Sequence, residues 1–514
     1  MPDLPLPQLP GPASPGTAHI PYEAKEKCGV FGVWSAPGPV AKAYYGLYAQ
    51  QHRGQEAAGI AASDGRSILA VTGTGLVPEV FDADTLGKLE RHAACAPSPH
   101  ACGAIGHTRY STAGGTAACN AQPLLEQYVG GQVAVAHNGN LVNADALRRL
   151  FEEAGHLFHT TSDTEVVIHL LASPDQQRAV DPLAETLRHL QGAFCLLFLF
   201  PDRIEAARDP WGWRPLVIGR LPDGGHVVAS ETVALDVVGA QLIREVEPGE
   251  IVTLSAAGLS SRRFALKADP LAMCVFEHVY FASPASSVFG QNVQLARESM
   301  GERLAAESPV NADVVMPMPD SGRSAAIGFA RASGIPLREG IVPNRYVGRT
   351  FIKPTQAERA AAVRLKLNVI AEVVGGKRIV VVDDSIVRGT TTRAKVEQIR
   401  AAGAKEIHLR ISCPPIRHPC YFGVDFATRD QLIAHDRSVD DIRAFLGVDS
   451  LAYLSLEGLL SCVRHAPADY CSACFSGDYR IDIDHPTTGE VVGSQLRMNW
   501  PAPPSPPAPV ASRP

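Results

Sequence analysis

Lys377-Arg378-Ile379-Val380-Val381-Val382-Asp383-Asp384-Ser385-Ile386-Val387-Arg388-Gly389-Thr390-Thr391-Thr392 is the stretch on which the reading of this chain turns. Four β-branched residues in a row, closed off by two carboxylates, read as a buried strand that stops abruptly. A short loop with one glycine and a run of threonines follows, and then a helix begins. In open α/β sheets ligands bind beyond the carboxyl ends of the strands. The unpaired N–H groups and positive dipole end of the helix suit a phosphate, and Gly389 lets the backbone approach it closely. The threonine hydroxyls can cap the helix and donate to phosphate oxygens. Asp383 and Asp384 repel each other side by side, which Mg²⁺ or vicinal sugar hydroxyls would offset. The combination fits a sugar phosphate.

Around this stretch, strand-like runs at 314–316, 379–382 and 407–411 alternate with helical segments at 321–332 and 391–402. That is the pattern of a parallel sheet with crossover helices. The quoted residues resemble the phosphoribosyl-diphosphate (PRPP) fingerprint of type I phosphoribosyltransferases. Val314-Val315-Met316-Pro317-Met318-Pro319-Asp320-Ser321-Gly322 looks like that family's pyrophosphate loop, and Asn344-Arg345-Tyr346-Val347-Gly348-Arg349-Thr350-Phe351-Ile352-Lys353 resembles its lid. The resemblance implies PRPP contacts from Asp383, Asp384, Ser385, Val387, Arg388, Gly389, Thr390 and Thr391. It also implies Mg²⁺ at Ser321, Asp383 and Asp384, with Arg349 and Lys353 brought over the leaving diphosphate. Stabilising that departing charge while excluding water suits displacement at an anomeric carbon.

Upstream of about residues 266–270 the chain has a different character. Short apolar runs at 29–34, 67–72, 133–136, 195–200, 216–218, 226–229 and 251–254 are separated by glycine-containing turns, with helical stretches at 144–154 and 164–171. Gly192–Phe200 (GAFCLLFLF) is about half the ~20 residues that cross a bilayer, so it reads as a core strand. Near the start stands Cys28-Gly-Val-Phe-Gly. A cysteine before a strand is ordinarily a small core residue. Here His107-Thr108-Arg109-Tyr110-Ser111-Thr112, His137-Asn138-Gly139-Asn140 and Thr161-Ser162-Asp163-Thr164-Glu165 supply what a glutamine needs. They offer a guanidinium for its α-carboxylate, an amide plus a backbone N–H for an oxyanion, and an acid for its α-ammonium.

Together with His52-Arg53-Gly54-Gln55-Glu56, these segments are similar to class II (N-terminal nucleophile) glutamine amidotransferases. The resemblance implies Cys28 as nucleophile, Asn138 and Gly139 as oxyanion donors, and Arg109 with Asp163 on the amino-acid end. In that class the nucleophile's own α-amine is the general base for its thiol. An internal Cys28 has only an amide nitrogen, which accepts no proton, so residues 1–27 are expected to be a propeptide.

The whole stretch from Cys28 to Ile483 resembles the amidophosphoribosyltransferase family. Matching segments include Arg208-Asp209-Pro210-Trp211-Gly212-Trp213-Arg214-Pro215, Ser230-Glu231-Thr232, Val246-Glu247-Pro248-Gly249 and Tyr453-Leu454-Ser455-Leu456-Glu457-Gly458-Leu459. The implied architecture is an α+β αββα-sandwich glutaminase domain over 28–265 and an α/β phosphoribosyltransferase domain with a parallel sheet over 266–465. A cysteine-bearing segment at 466–498 and a Pro-rich tail at 499–514 follow. The resemblance also implies a homodimer or homotetramer, with purine nucleotides as feedback inhibitors. Ser283 and Ala285 stand where an Arg and an Asp are common in that family, and Pro343 where a Lys often precedes Asn-Arg-Tyr.

Composition sets the remaining limits. The 514 residues carry 46% apolar and 19% charged types, ordinary for a globular protein. A formal charge of -6 argues against a broad nucleic-acid footprint, and there is no membrane span. Eleven cysteines, an odd number in a long chain, and a proline-studded start without a basic or apolar signal region point to a thiol-reduced, cytoplasmic protein. Cys471-Ser-Ala-Cys474 by itself leaves zinc, iron–sulfur, redox and bystander roles open. The iron–sulfur branch of the family adds one ligand after the glutaminase domain and one in a Pro-Pro-x-x-His-Pro-Cys stretch. These match Cys274 and Cys420, implying a [4Fe–4S] cluster on Cys274, Cys420, Cys471 and Cys474; Cys413, expected within the preceding strand, is left out.

Overall fold

The computed structural model describes residues 27–110, 118–344, 367–424 and 429–483, and two short strands at 490–491 and 494–495. Arg349 and Lys353 lie outside the described residues, as do residues 1–26 of the expected leader and the tail from 499. No helix among the described residues is long and apolar enough to cross a membrane.

The first half begins with β1 (Lys27–Trp34), β2 (Ala57–Ser63), β3 (Ile68–Thr74), β4 (Gly103–Tyr110), β5 (Leu124–Tyr128) and β6 (Gly131–Leu141). It continues through β7 (Gly192–Phe200), β8 (Arg203–Arg208), β9 (Val217–Arg220), β10 (His226–Ala229), β11 (Gln241–Glu245), β12 (Glu250–Ser255) and β13 (Gly258–Arg263). Seven strands form one antiparallel sheet in the order β11-β9-β10-β1-β4-β2-β3, and six form another in the order β13-β12-β8-β7-β6-β5.

The period-2 alternation of side chains explains the layering. On β1, Val30 and Trp34 join a core with Cys195, Leu197 and Leu199 of β7 between the sheets, while Phe31 and Val33 pack under the helix Pro39–Ala49. On β7 the other parity, Phe194, Leu196 and Phe198, packs with residues of the helices Ala144–Glu153 and Asp163–Ala172. The uninterrupted apolar run of β7 is thus buried on both faces, each Phe or Leu contributing about 1.5–3 kcal/mol. Helix, sheet, sheet, helix is the expected αββα sandwich.

After β13 the chain builds a four-stranded parallel sheet, in the order Val314–Pro317, Arg378–Asp383, Glu406–Ile411, Ser450–Tyr453. Register pairs Met316 with Val381 and Asp383 with Ile411, so Arg378–Asp383 is central and its carboxyl end is flanked on both sides. The helices Arg323–Ser333, Thr390–Ala401 and Val439–Leu446 lie in the three crossovers. A two-residue parallel ribbon, Met273–Cys274 against Tyr470–Cys471, ties the C-terminal segment to the chain just past the sandwich.

Candidate active sites

Two sites lie at strand ends, one in each half. In the first, β1 pairs Cys28 with Arg109 of β4, which places both side chains on the same face of the sheet. Cys28 shares the parity of Val30 and Trp34 and so faces the second sheet; Asn138 of β6 shares the parity of Ala134 and Ala136 and faces the first. Cys28 and Asn138 line one pocket with Arg53, Arg214, Phe281 and Gly423. Lys27 continues the same strand, opposite Tyr110, so in the uncut chain the Cys28 nitrogen is a peptide nitrogen.

Neighbours fix the polar groups. Asn138 Nδ2 donates to Ser230 Oγ at 3.2 Å, and that hydroxyl also accepts from the Val30 N–H at 3.0 Å, linking β6 to β1 through one buried side chain. Gly139 is glycine by necessity: a Cβ there would lie 1.9 Å from the Ala193 carbonyl oxygen. Asp163, in the first turn of its helix, is buried, accepts from the Leu141 N–H at 3.0 Å, and sits 3.2 Å from His137 Nδ1. The Arg109 side chain is also buried.

Beneath the pocket runs a buried ionic chain to which the sequence reading gave no role. Arg53 pairs with Glu231 and with Glu277 (2.5 Å), Glu277 also takes Arg214 at 3.0 Å, and Glu231 accepts from Ser286 Oγ at 2.6 Å. Burial alone would raise Glu231, but Arg53 and His52 outweigh it and hold that carboxyl well below its usual range. Arg297, drawn down to about 10 by burial, donates to the His278 and Ala282 carbonyls and feels both Asp384 and Glu277. It thus stands between the two sites.

The second site is the carboxyl end of Arg378–Asp383. Asp383 and Asp384 are both buried. Burial, then the adjacent Asp384, pushes Asp383 up to about 8. Ser321 Oγ donates to Asp383 Oδ1 at 3.4 Å, and Ser385 Oγ to Asp384 Oδ2 at 2.5 Å. The loop carrying Ser321 is held by Met318 N–H donating to the Val382 carbonyl, and a Cβ on Gly322 would meet that carbonyl oxygen at 2.2 Å. Gly389 (φ 73°) is itself the helix N-cap. Thr390 and Thr391 are therefore the first helical residues rather than capping side chains, and both are exposed at the helix N-terminus where an anion would sit. Arg388 is exposed and bonded to Gln431; Val387 accepts from the Ile433 N–H through its carbonyl.

The four expected cluster cysteines come together from three segments. Cys274 and Cys471 are register partners in the ribbon, and the Cys474 carbonyl accepts from the Arg417 and His418 N–H groups just before Cys420. Burial pushes Cys274 up to about 12 and Cys471 and Cys474 well above their ordinary value, and each is raised further by at least one of the other three. Cys413 lies just past the end of Glu406–Ile411 rather than within it, close enough to Cys474 to contribute to its shift. Among the described residues no three His, Cys, Asp or Glu side chains converge tightly enough for a single metal ion.

An αββα sandwich with a strand-end thiol, joined to a parallel sheet with a strand–loop–helix phosphate site, defines a class: glutamine amidotransferases coupled to a phosphoribosyltransferase. A glutamine amidotransferase domain model matches residues 107–237. The amidophosphoribosyltransferase of Bacillus subtilis is 48% identical over 463 residues, covering 89% of this chain and 95% of that one. That of Methanothermobacter thermautotrophicus is 46% identical, covering 89% and 95%. The solved glutamine PRPP amidotransferase of B. subtilis complexed with ADP and GMP superposes with a TM-score of 0.81 at 46% identity, covering 89% of this chain and 98% of that one. The chain belongs to the amidophosphoribosyltransferase family. It is a glutamine-dependent pentosyltransferase that hydrolyses glutamine and transfers the ammonia to PRPP, giving 5-phosphoribosylamine, glutamate and pyrophosphate, the first committed step of purine biosynthesis.

Proposed function

We propose that the two sites work in series, with residues 1–27 removed so that Cys28 begins the glutaminase domain (28–265). The freed α-amine takes the thiol proton, Cys28 attacks the glutamine carboxamide, and Asn138 Nδ2 with the Gly139 N–H receives the oxyanion. Arg109 holds the α-carboxylate and Asp163 the α-ammonium. Hydrolysis of the thioester releases glutamate, and ammonia moves internally, which spares it protonation in water. In the domain over 266–465, the Ser385–Thr391 loop, including Val387, Arg388, Gly389 and Thr390, holds the PRPP phosphate, and Arg349 and Lys353 attend the diphosphate. The observation that carries this reading is the convergence of Cys28, Arg109 and Asn138 at one end of the sandwich. Intact-mass analysis of active protein tests it: the expected mass is that of a chain starting at Cys28. Fully competent enzyme that still begins at Met1 would overturn it.

Mg²⁺ fits the acid pair. A buried carboxyl raised to about 8 beside a second one is an environment that a divalent cation relieves. Ser321, Asp383 and Asp384 would hold it, and it would supply charge neutralisation for the diphosphate; vicinal sugar hydroxyls are the alternative partners of the same acids.

A [4Fe–4S] cluster fits the four cysteines. Buried Cys471 and Cys474 and half-buried Cys274 and Cys420 gather from three segments of the chain, and Cys274, Cys471 and Cys474 are each raised by others of the four, a set of thiols that suits a polynuclear group. Cys274, Cys420, Cys471 and Cys474 would hold it, fastening the 466–498 segment to both domains. Anaerobically purified protein is expected to show broad visible absorption and about four irons per chain; a colourless, zinc-loaded preparation refutes the cluster. The ADP and GMP on the B. subtilis relative support purine-nucleotide inhibition here. We place the enzyme in the cytoplasm as a homodimer or homotetramer, in line with the family.

A further inference from the structure

One wall of the Cys28 pocket comes from the second domain. Just beyond Cys420, the segment 421–423 lies against the end of β6. Asn140 Nδ2 donates to the Tyr421 carbonyl at 2.8 Å, and Arg214 Nη2 donates to the Phe422 carbonyl at 2.7 Å. The Phe422 ring stacks on Trp213, with centroids 3.9 Å apart and planes 18° from parallel. Gly423, at φ +88°, then comes so close to β6 that a Cβ on it would lie 3.0 Å from both the carbonyl carbon and oxygen of Gly139. An amide, a guanidinium and an aromatic face, all from the first domain, thus grip Tyr421 and Phe422 of the second and set Gly423 against β6. They do so where β6 needs support: β5 pairs only with residues 131–135, so β6 beyond Val135 has β7 as its one strand neighbour among the described residues.

We propose that Tyr421–Gly423 is a positioning element of the glutaminase site, holding Gly139 and Asn138 at the distance that oxyanion stabilisation requires. The proposal rests on the oxyanion assignment made above. Donors must sit about 2.7–3.1 Å from the developing charge, and a strand free to drift by a few tenths of an ångström loses that alignment. Gly139 already abuts the Ala193 carbonyl, and Gly423 closes its remaining freedom. The glutaminase domain is on this account incomplete without its partner domain. Gly423 is required as glycine both for its backbone angle and for its closeness to Gly139.

The test compares Gly423→Ala with Asn138→Ala in the mature full-length enzyme. Glutamine-dependent and ammonia-dependent rates are measured with kcat and KM separated. Asn138→Ala is expected to lower glutaminase kcat by about 10²–10³-fold. Gly423→Ala is expected to lower it by roughly tenfold or more, with KM for glutamine within about twofold and ammonia-dependent synthesis and iron content retained. If Asn138→Ala leaves kcat intact, the oxyanion assignment itself fails. If Asn138→Ala lowers kcat and Gly423→Ala does not, or raises only KM, the positioning role is overturned. Should Gly423→Ala lose both activities, Asn140→Asp decides, since it keeps the shape but sets a carboxylate oxygen against the Tyr421 carbonyl. Wild-type glutaminase kcat in that variant sinks the proposal, and a selective loss of kcat supports it.

Discussion

Cys28→Ala should silence glutamine-dependent synthesis and leave synthesis from free ammonia standing. Removing a nucleophile that forms a covalent intermediate costs roughly three orders of magnitude in rate or more, because no neighbouring group takes over the bond to carbon. The side chain is almost fully buried, 1% exposed, yet alanine fills most of its volume, so the sandwich should survive the change. The second site shares no residue with Cys28, being built at the end of Arg378–Asp383 from an independent parallel sheet. Ammonia-dependent rates, read at a pH where enough ammonia is unprotonated, are therefore expected within about twofold of wild type. Loss of both activities would contradict two separate sites.

Asp383→Asn should do the opposite and impair both routes, by about 100-fold or more, since either nitrogen source must meet PRPP in the same cradle. Its effect on stability has a sign that can be worked out. Burial and Asp384 raise Asp383 from 3.8 to about 8 in the folded protein. The native state therefore keeps a proton that the unfolded chain gives up. That contribution is fully present below about pH 4 and is lost as the pH climbs through about 8. Asparagine does not titrate. Without Mg²⁺, the variant should melt at a higher temperature than wild type at pH 8, with the gap closing towards pH 4, and Mg²⁺ should stabilise wild type more than the variant. A wild-type melting temperature that exceeds the variant's at pH 8 without metal would refute the buried acid pair. Function here works against stability.

Much of this was legible because the chemistry was local. A β-branched run ending in paired acids gives both the central strand and the site at its tip, and the apolar runs on β1, β6, β7, β10 and β12 fall where they were expected. Other features were invisible for physical reasons. The residues of β2 (AAGIAAS) carry no strand signal of their own; they are extended because β3 and β4 flank them, and all seven are buried. The Arg53, Glu231, Glu277 and Arg214 chain joins charges that no periodicity relates. Ser230 joins β1 to Asn138 through its hydroxyl, a link between residues 92 and 200 positions apart that no local pattern marks. The threonines after Gly389 promise a helix cap, but the glycine takes that place because the loop turns through a positive φ that threonine avoids.

The ribbon joining Met273–Cys274 to Tyr470–Cys471 has a consequence for how the molecule is made. A ribosome delivers the sandwich long before it delivers the ribbon's second strand, so the nascent sandwich can fold while the edge at Cys274 stays open. That seam closes only after Tyr470–Cys471 has left the exit tunnel, and a chain truncated upstream of Tyr470 never shuts it. Until then Met273–Cys274 has no ribbon partner, so a chain cut short before Tyr470 carries an unpaired strand edge.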